Sequence, residues 1–323
     1  MILAVGGINN SILVVVLASA VVYGTPLLYA ALGELLAERS GVLNLGVEGM
    51  MLVGAVMGFW GVQRTGSLGL AIVIAAVAGG SMALIHAFLV VTLRANQIVS
   101  GLALTIFAGA GGLSSYLGND LNIADQPAKH AFSAFLPKGW QSANVVGPIF
   151  FNQSVLVYAS WVCVALVGLY LARTRPGLNL RAVGESPAAA DAMGINVVKY
   201  RYVHTIVGGM FAGVGGACFS LSITPQWVDG LTSGAGWIAI ALVIFAFWRP
   251  TLCLVGAYLF GAFSGIPFTF QARGILSGVP PELFQALPYL MTVIVLVLVS
   301  TAGARRRLGA PASLGTPYVR EER

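Results

Sequence analysis

Charge is what this sequence has least of. Only 9% of its 323 residues are Asp, Glu, Lys or Arg, while 58% are hydrophobic. Soluble domains carry roughly 25% charged residues, and a water-facing surface on a chain this long could not be clothed with so few. An ordinary soluble enzyme is excluded, and lipid becomes the main solvent. Histidine is scarce too: His86, His130 and His204 are scattered, with no HExxH. The three cysteines, Cys163, Cys218 and Cys253, each sit in an apolar run without CxxC spacing, and read as small hydrophobes. No metal or cofactor is expected. The sequence lacks GxxxxGK[ST], so it binds no ATP through a P-loop. It lacks a GxSxG elbow, since Ser264 in GlyAlaPheSerGly falls one place late. It also lacks an arginine ladder and a ThrValGlyTyrGly filter. Chemistry inside the chain is not expected. The net charge of +6 is spread over loops rather than gathered on one soluble face, which argues against nucleic acid as a partner. The first apolar run has no basic lead-in, so no cleavable signal peptide is read.

Apolar runs are what the sequence has in abundance. Nine are read, at about 11–32, 42–62, 67–93, 97–117, 154–172, 203–224, 233–249, 251–270 and 284–303. Most approach the ~20 residues that cross a bilayer; the second and seventh, Gly-rich or short, are the weakest. Backbone in lipid must satisfy its own hydrogen bonds, so the runs predict helices, and the ten-residue alternation of a β-barrel is absent. The expected fold is all-α: a polytopic inner-membrane protein of nine, or ten, transmembrane helices. One transmembrane domain covers residues 1–304, followed by a basic cytoplasmic tail at 305–323. Strict alternation puts Arg64, Lys129, Lys138 and Arg273 outside and the other thirteen of the seventeen Lys and Arg inside. By the positive-inside rule the N-terminus is then outside and the C-terminus inside. Two long polar segments remain. The inner one is 173–202. The outer one, 118–153, carries Asp120, Asp125, Trp140, Pro127, Pro137 and Pro148. It reads as a docking surface, a pore lid or a passive connector.

Few polar groups enter the runs. Glu34, Glu38 and Arg39 are placed at the inner edge, and Asn44 and Glu48 follow four apart, on one helical face. Glu48 is the only acidic residue read as lying inside a span. A carboxylate there must face the bundle interior, a partner subunit or a water-filled path. It is either a pathway or gating residue, or a structural carboxyl that holds Asn44, a helix end or an arginine such as Arg39. Asn96, Gln97 and Ser100, after Arg94, open the fourth run and read equally as a polar route or as a helix cap. The pairs Gly54/Gly58, Gly209/Gly213 and Gly261/Gly265 have the spacing that lets helices approach closely.

Inside 173–202 a short helix is spelled out. Ser186 suits its cap, Pro187 its first turn and Gly194 its end. Ala188, Ala189, Ala190 and Ala192 leave little bulk, and Glu185 and Asp191 can meet basic groups on a partner. A helix lying on headgroups would carry a bulky apolar face; this one reads as a docking helix. With no energy source of its own, the chain would take its energy there from another subunit. A stand-alone secondary transporter would carry ionisable groups in several spans, and Glu48 alone is a thin basis for one. An intramembrane enzyme lacks its catalytic pairs.

At these residues the chain resembles the inner-membrane permease subunits of bacterial ABC importers. The branch it resembles is shared by ribose-type sugar, branched-chain amino acid and nucleoside permeases. Glu38–Met51, GluArgSerGlyValLeuAsnLeuGlyValGluGlyMetMet, looks most like the nucleoside (guanosine-type) permeases. Arg181–Ile195, ArgAlaValGlyGluSerProAlaAlaAlaAspAlaMetGlyIle, is similar to that family's coupling loop. The resemblance implies uptake of nucleosides through a multi-pass protein of the bacterial inner membrane, with simple sugars or branched-chain amino acids as the alternative cargo. It implies a paired, related but non-identical permease, ATP-binding subunits below and an extracytoplasmic substrate-binding lipoprotein above. It assigns contact with the ATPase to Gly184, Glu185, Ser186, Ala189, Ala190, Asp191 and Gly194, with Arg181 and Pro187 from the same segment. No substrate code carries over. Asn44, Glu48, Asn96, Gln97 and Ser100 stand as pathway candidates from the residue reading alone.

Overall fold

The computed structural model describes residues 11–123, 126–141, 145–272, 280, 283, 286–299 and 309–320. Residues 1–10, Asp125, Arg273, the tail arginines Arg305, Arg306 and Arg307, and Arg323 lie outside the described residues. The described chain is helical, with no strand and two isolated bridges, Pro127 with Gln226 and Ala134 with Ser154. The helices begin where short polar side chains can take up free N–H groups, a contribution of about 1 kcal/mol each. Ser11 accepts from Val14 N–H at 3.3 Å and opens α1 (Ile12–Arg39). Ser67 does the same for α3 (Leu68–Ala87, extended by a π-helical turn to Thr92), and Asn96 for α4 (Gln97–Ala108). α2 (Val47–Thr65) follows α1, and α5 (Leu113–Asp120) follows a break at 109–112. After the four-residue α6 (Lys138–Gln141) and a π-helical turn (Gly147–Phe151) comes α7 (Val155–Arg173). Then follow α8 (Arg175–Glu185), α9 (Pro187–Ala192) and α10 (Val197–Cys218), which runs on as a π-helical turn to Ile223. α11 (Ala235–Phe245), α12 (Pro250–Ala272) and α13 (Leu287–Val299) complete the series.

Two helices organise the bundle. α1 packs against α10, α11 and α12, and α10 packs against α2 and α3. Glycine makes these crossings close: a Cβ on Gly54 would fall 2.3 Å from Gly213 Cα, and one on Gly261 would fall 2.3 Å from the Ala20 carbonyl oxygen. The paired glycines therefore act in packing.

Six described helices are long and apolar enough to cross a membrane: Ile12–Arg39, Leu68–Thr92, Gln97–Asp120, Val155–Arg173, Val197–Ile223 and Pro250–Pro267. The other expected runs come out differently. α1 continues to Arg39 instead of stopping near residue 32, so Glu34 and Glu38 are helical, each 1% exposed. Glu48 is therefore not the only acidic group buried in the helical bundle. The second run becomes helix only at Val47. Residues 40–46 instead fold back beside α1, where Asn44 N–H donates to Glu34 Oε1 at 3.0 Å. The seventh run yields α11, 11 residues long. At 1.5 Å per residue that is about 16 Å, roughly half of a ~30 Å hydrocarbon core. The polar island holds two helices rather than one, because Thr174 caps α8 (3.1 Å from Gly177 N–H) and Pro176 suits its first turn. The tail at 309–320 lies against the island instead of standing free.

The loops gather at two ends. At one end Arg39 donates to Gly309 O and Trp248 O, Gln97 accepts from Leu43 N–H, and Arg201 donates to Thr316 O. At the other, the 118–153 segment lies across the ends of α2 and α10: Gln63 Nε2 donates to Pro127 O at 2.8 Å and Phe132 N–H to Leu221 O at 2.8 Å. Trp227, 2% exposed, is wedged there against Gly118.

Candidate functional site

The short helix α11 organises the interior site. Its N-cap is Gly234 at φ +81°, which brings no side-chain oxygen to the exposed N–H groups of the first turn. The missing cap comes from another helix. Glu48, 7% exposed near the start of α2, accepts from Thr232 Oγ1 at 2.6 Å and Gly234 N–H at 2.9 Å through Oε1, and from Gly236 N–H at 2.6 Å through Oε2. A carboxylate at a helix N-terminus satisfies orphan donors and favours the helix dipole. The other end of α11 is also held. Trp248 donates its indole N–H to Glu38 Oε2, and its carbonyl accepts from Arg39 Nη2 at 3.1 Å. Phe247 and Trp248 sit at φ +49° and +53°, in the left-handed region. Such strain, of order 1–3 kcal/mol per residue, persists only where the surroundings impose it.

Beside this arrangement lies a cavity of about 410 Å³, within the roughly 300–1,000 Å³ of small-molecule sites. α1 contributes Tyr23, the end of α10 Thr224, the segment before α11 Thr232 and Ser233, α12 Ser264, and α13 Tyr289. Leu27, Phe219 and Ile238 add apolar surface, and among the described residues no Asp, Glu, Lys, Arg or His lines it. Tyr289 Oη donates to Ser233 O, tying α13 to the same segment that Glu48 holds from behind. The described lining thus offers hydroxyls and aromatic rings without fixed charge, suited to a neutral, polar molecule with an apolar face.

None of the five pathway candidates lines this cavity. Glu48 stands behind its wall. Asn44, 1% exposed, accepts from Gly46 N–H at 3.0 Å and closes the 40–46 turn. Gln97, 3% exposed, accepts from Leu43 N–H at 2.7 Å. Ser100 bonds His86 Nδ1 at 3.0 Å, while His86 Nε2 lies 3.1 Å from Leu43 O. Asn96 is exposed and caps α4 through Ile98 and Val99 N–H at 3.0 and 3.1 Å. The structure brings Gln97, Ser100 and His86 together around the turn that leads into α2, and leaves Asn96 at the surface. The cavity-lining hydroxyls were missed because single Ser, Thr and Tyr residues in apolar runs are commonplace. The ThrSerGly triplet at 232–234 was the usable signal.

The second site is on the loops. Ser186 accepts from Ala189 N–H at 3.4 Å, Pro187 takes the first helical position of α9, and Gly194 at φ +80° follows its end. Ala190 points inward against Val183 and Val197, while Ala188, Ala189 and Ala192 are exposed. Glu185 is exposed too, and Arg181 is half-buried. Gly184 is buried where α8 crosses the end of α1, since a Cβ there would fall 2.3 Å from Arg39 O. Asp191 is not free: its Oδ2 lies 3.3 Å from Arg320 Nε. Met193, at the C-cap of α9, is 82% exposed. The alanine surface read from the sequence therefore ends in one bulky apolar knob.

The branched-chain amino acid transport system / permease component family matches residues 16–296. The chain belongs to this permease family. Among curated relatives, the permease is similar to TsgC13 of Haloferax volcanii, a protein provisionally named as a glucose ABC transporter permease, with 40% identity over 92% of this chain and 95% of that one. It is similar to the guanosine ABC transporter permease protein NupQ of Bacillus subtilis, 33% identical over 97% and 98%. It is also similar to the nucleoside ABC transporter permease protein NupC of Lactococcus lactis, 32% identical over 95% and 98%. Each of these three organisms has a second, more distant relative with the same cargo in its name, at 22–27% identity. Permease subunits of this family are multi-pass membrane proteins and carry no catalytic site of their own.

Proposed function

We propose that this permease is one of two related, non-identical membrane subunits of an ABC importer of nucleosides, driven by ATP hydrolysis in a separate subunit. The cavity supports the cargo class. A nucleoside is neutral, rich in hydroxyls and carries a planar apolar base, and the described lining of the cavity presents hydroxyls and rings without charge. The names of NupQ and NupC point the same way, and the recurrence of two relatives in one organism supports a mixed pair. One observation carries the coupling half: Met193, the most exposed of the described large apolar side chains, stands on a short capped helix between two long apolar helices. Such a knob is what a groove on a partner holds. Arg181, Gly184, Glu185, Ser186, Pro187, Ala189, Ala190, Asp191 and Gly194 then form or support the face that meets the ATPase, on the cytoplasmic side, with the C-terminus inside and nine or ten membrane segments, of which α11 reaches through only part of the hydrocarbon. An extracytoplasmic binding lipoprotein delivers the cargo to the other face.

The path of force follows the contacts. A push on α9 passes to α8, from Gly184 to the end of α1 at Arg39, and along α1 to Tyr23 and Leu27 in the cavity wall. Asn44, Gln97 and Ser100 keep the turn before α2 in register, and Glu48 fixes the opposite wall. A second reading, uptake of a simple sugar, is favoured by the 40% identity to TsgC13. Uptake of labelled guanosine by cells expressing the complete transporter, competed with unlabelled nucleosides, glucose or leucine, separates the two. Competition by nucleosides alone is expected; competition by glucose alone overturns the nucleoside assignment.

A further inference from the structure

The coupling helix is too short to hold itself. α9 has six residues and buries only Ala190, and isolated helices below about 12 residues are marginal in water. What it leans on is the far end of the chain. Ser313, 6% exposed, donates to Gly184 O through its N–H at 2.9 Å and through its Oγ at 2.7 Å. Arg201 of α10, 2% exposed, donates from Nη1 to Thr316 O at 3.0 Å, and its Nη2 lies 3.5 Å from Ser313 Oγ. Gly315 N–H donates to Gly41 O at 3.3 Å, and Arg39 Nη1 to Gly309 O at 3.3 Å. Tyr318 packs with Val183, Ala190 and Val197, and Arg320 pairs with Asp191 at 3.3 Å. Twelve residues, Gly309–Arg320, thus touch the end of α1, the following turn, α8, α9 and α10. Between this strap and the start of α9 runs a cleft of about 330 Å³, bordered by Glu185, Pro187, Tyr318 and Val319.

We propose that Gly309–Arg320 is a clamp that fixes the coupling helix to the transmembrane bundle and makes it a stiff lever, so that ATP hydrolysis is turned into uptake. The clamp rests on the coupling reading above, but its mechanical part can be tested without it. The buried Arg201 explains the anchoring: its guanidinium donates to Thr316 O and Ser313 Oγ of the strap, and a buried charge requires such partners. The arginine run before the strap bears on topology. The strap itself, with Pro311, Gly315 at φ +78° and Pro317, is a shaped, irregular segment and not a solvated tail.

Two variants test this in the assembled transporter reconstituted in lipid: a chain ending at Leu308, and Ser313→Tyr, which cannot keep a small side chain under Gly184 O. Both should insert and co-purify with the ATP-binding subunit. Amide hydrogen exchange over Pro187–Ile195 should quicken at least tenfold, and nucleoside taken up per ATP hydrolysed should fall at least fivefold. Exchange that stays at the full-length rate in both variants overturns the clamp, as does an uptake-to-hydrolysis ratio within twofold of the full chain. If the full-length permease itself brings down no ATP-binding subunit, the coupling role falls with the docking reading, and faster exchange in the variants would then mark the strap as structural only.

Discussion

At the scale of single residues, Glu48 concentrates most of the interior order. Its two oxygens take three donors that belong to the start of α11, and nothing local replaces them. A buried donor left unsatisfied costs about 1–3 kcal/mol. Glu48→Ala is therefore expected to destabilise the protein by about 3 kcal/mol, lowering the thermal unfolding midpoint in detergent by several degrees and abolishing uptake. Glu48→Gln keeps one carbonyl acceptor and should lose about half as much. An unchanged midpoint in Glu48→Ala would contradict the capping role. The sequence left this residue open between pathway and structural duties. What was not legible was its partner, because Thr232 and Gly236 lie 184 and 188 positions away along the chain.

At the scale of elements, local grammar was readable and tertiary compensation was not. Ser186, Pro187 and Gly194 spelled out α9 because caps and stops act within a few residues. α11 is too short to cross a bilayer unaided and is instead held at both ends by Glu48 and by Glu38 and Arg39, partners that no local pattern announces. Gly194 tests the short element directly. A side chain at this position would meet nothing within 4 Å, so its φ of +80° is the sole constraint. Gly194→Val should then act through backbone strain alone, about 1–2 kcal/mol, loosening the end of α9. Uptake is expected to fall at least tenfold while the amount of protein in the membrane holds. Normal uptake together with normal stimulation of ATP hydrolysis would count against α9 as the coupling element.

At the scale of the whole molecule, the charge pattern divided the loops into two sets before any contact was known. The contacts gather the same sets: Arg39, which also holds Trp248, and Arg201 meet the tail at one end, and Gln63 with Pro127 and Phe132 with Leu221 meet at the other. Cysteine introduced at the exposed Ala312 or at Trp140 gives the sidedness. In intact cells a membrane-impermeant maleimide should label the Trp140 position and not the Ala312 position; the reverse labelling would invert the topology. Most of the bundle was legible because lipid enforces helices wherever apolar runs occur. The strap was not, since prolines and glycines after an arginine run resemble any tail until Arg201 is found beneath them. One kinematic consequence follows from α11. Anchored by α2 at its upper end and by α1 at its lower end, it has no hinge of its own. The wall it contributes is braced at both ends, so any widening of the cavity is expected on the side of α13, which packs on α11 and α12 and is joined to Ser233 O by the Tyr289 hydroxyl.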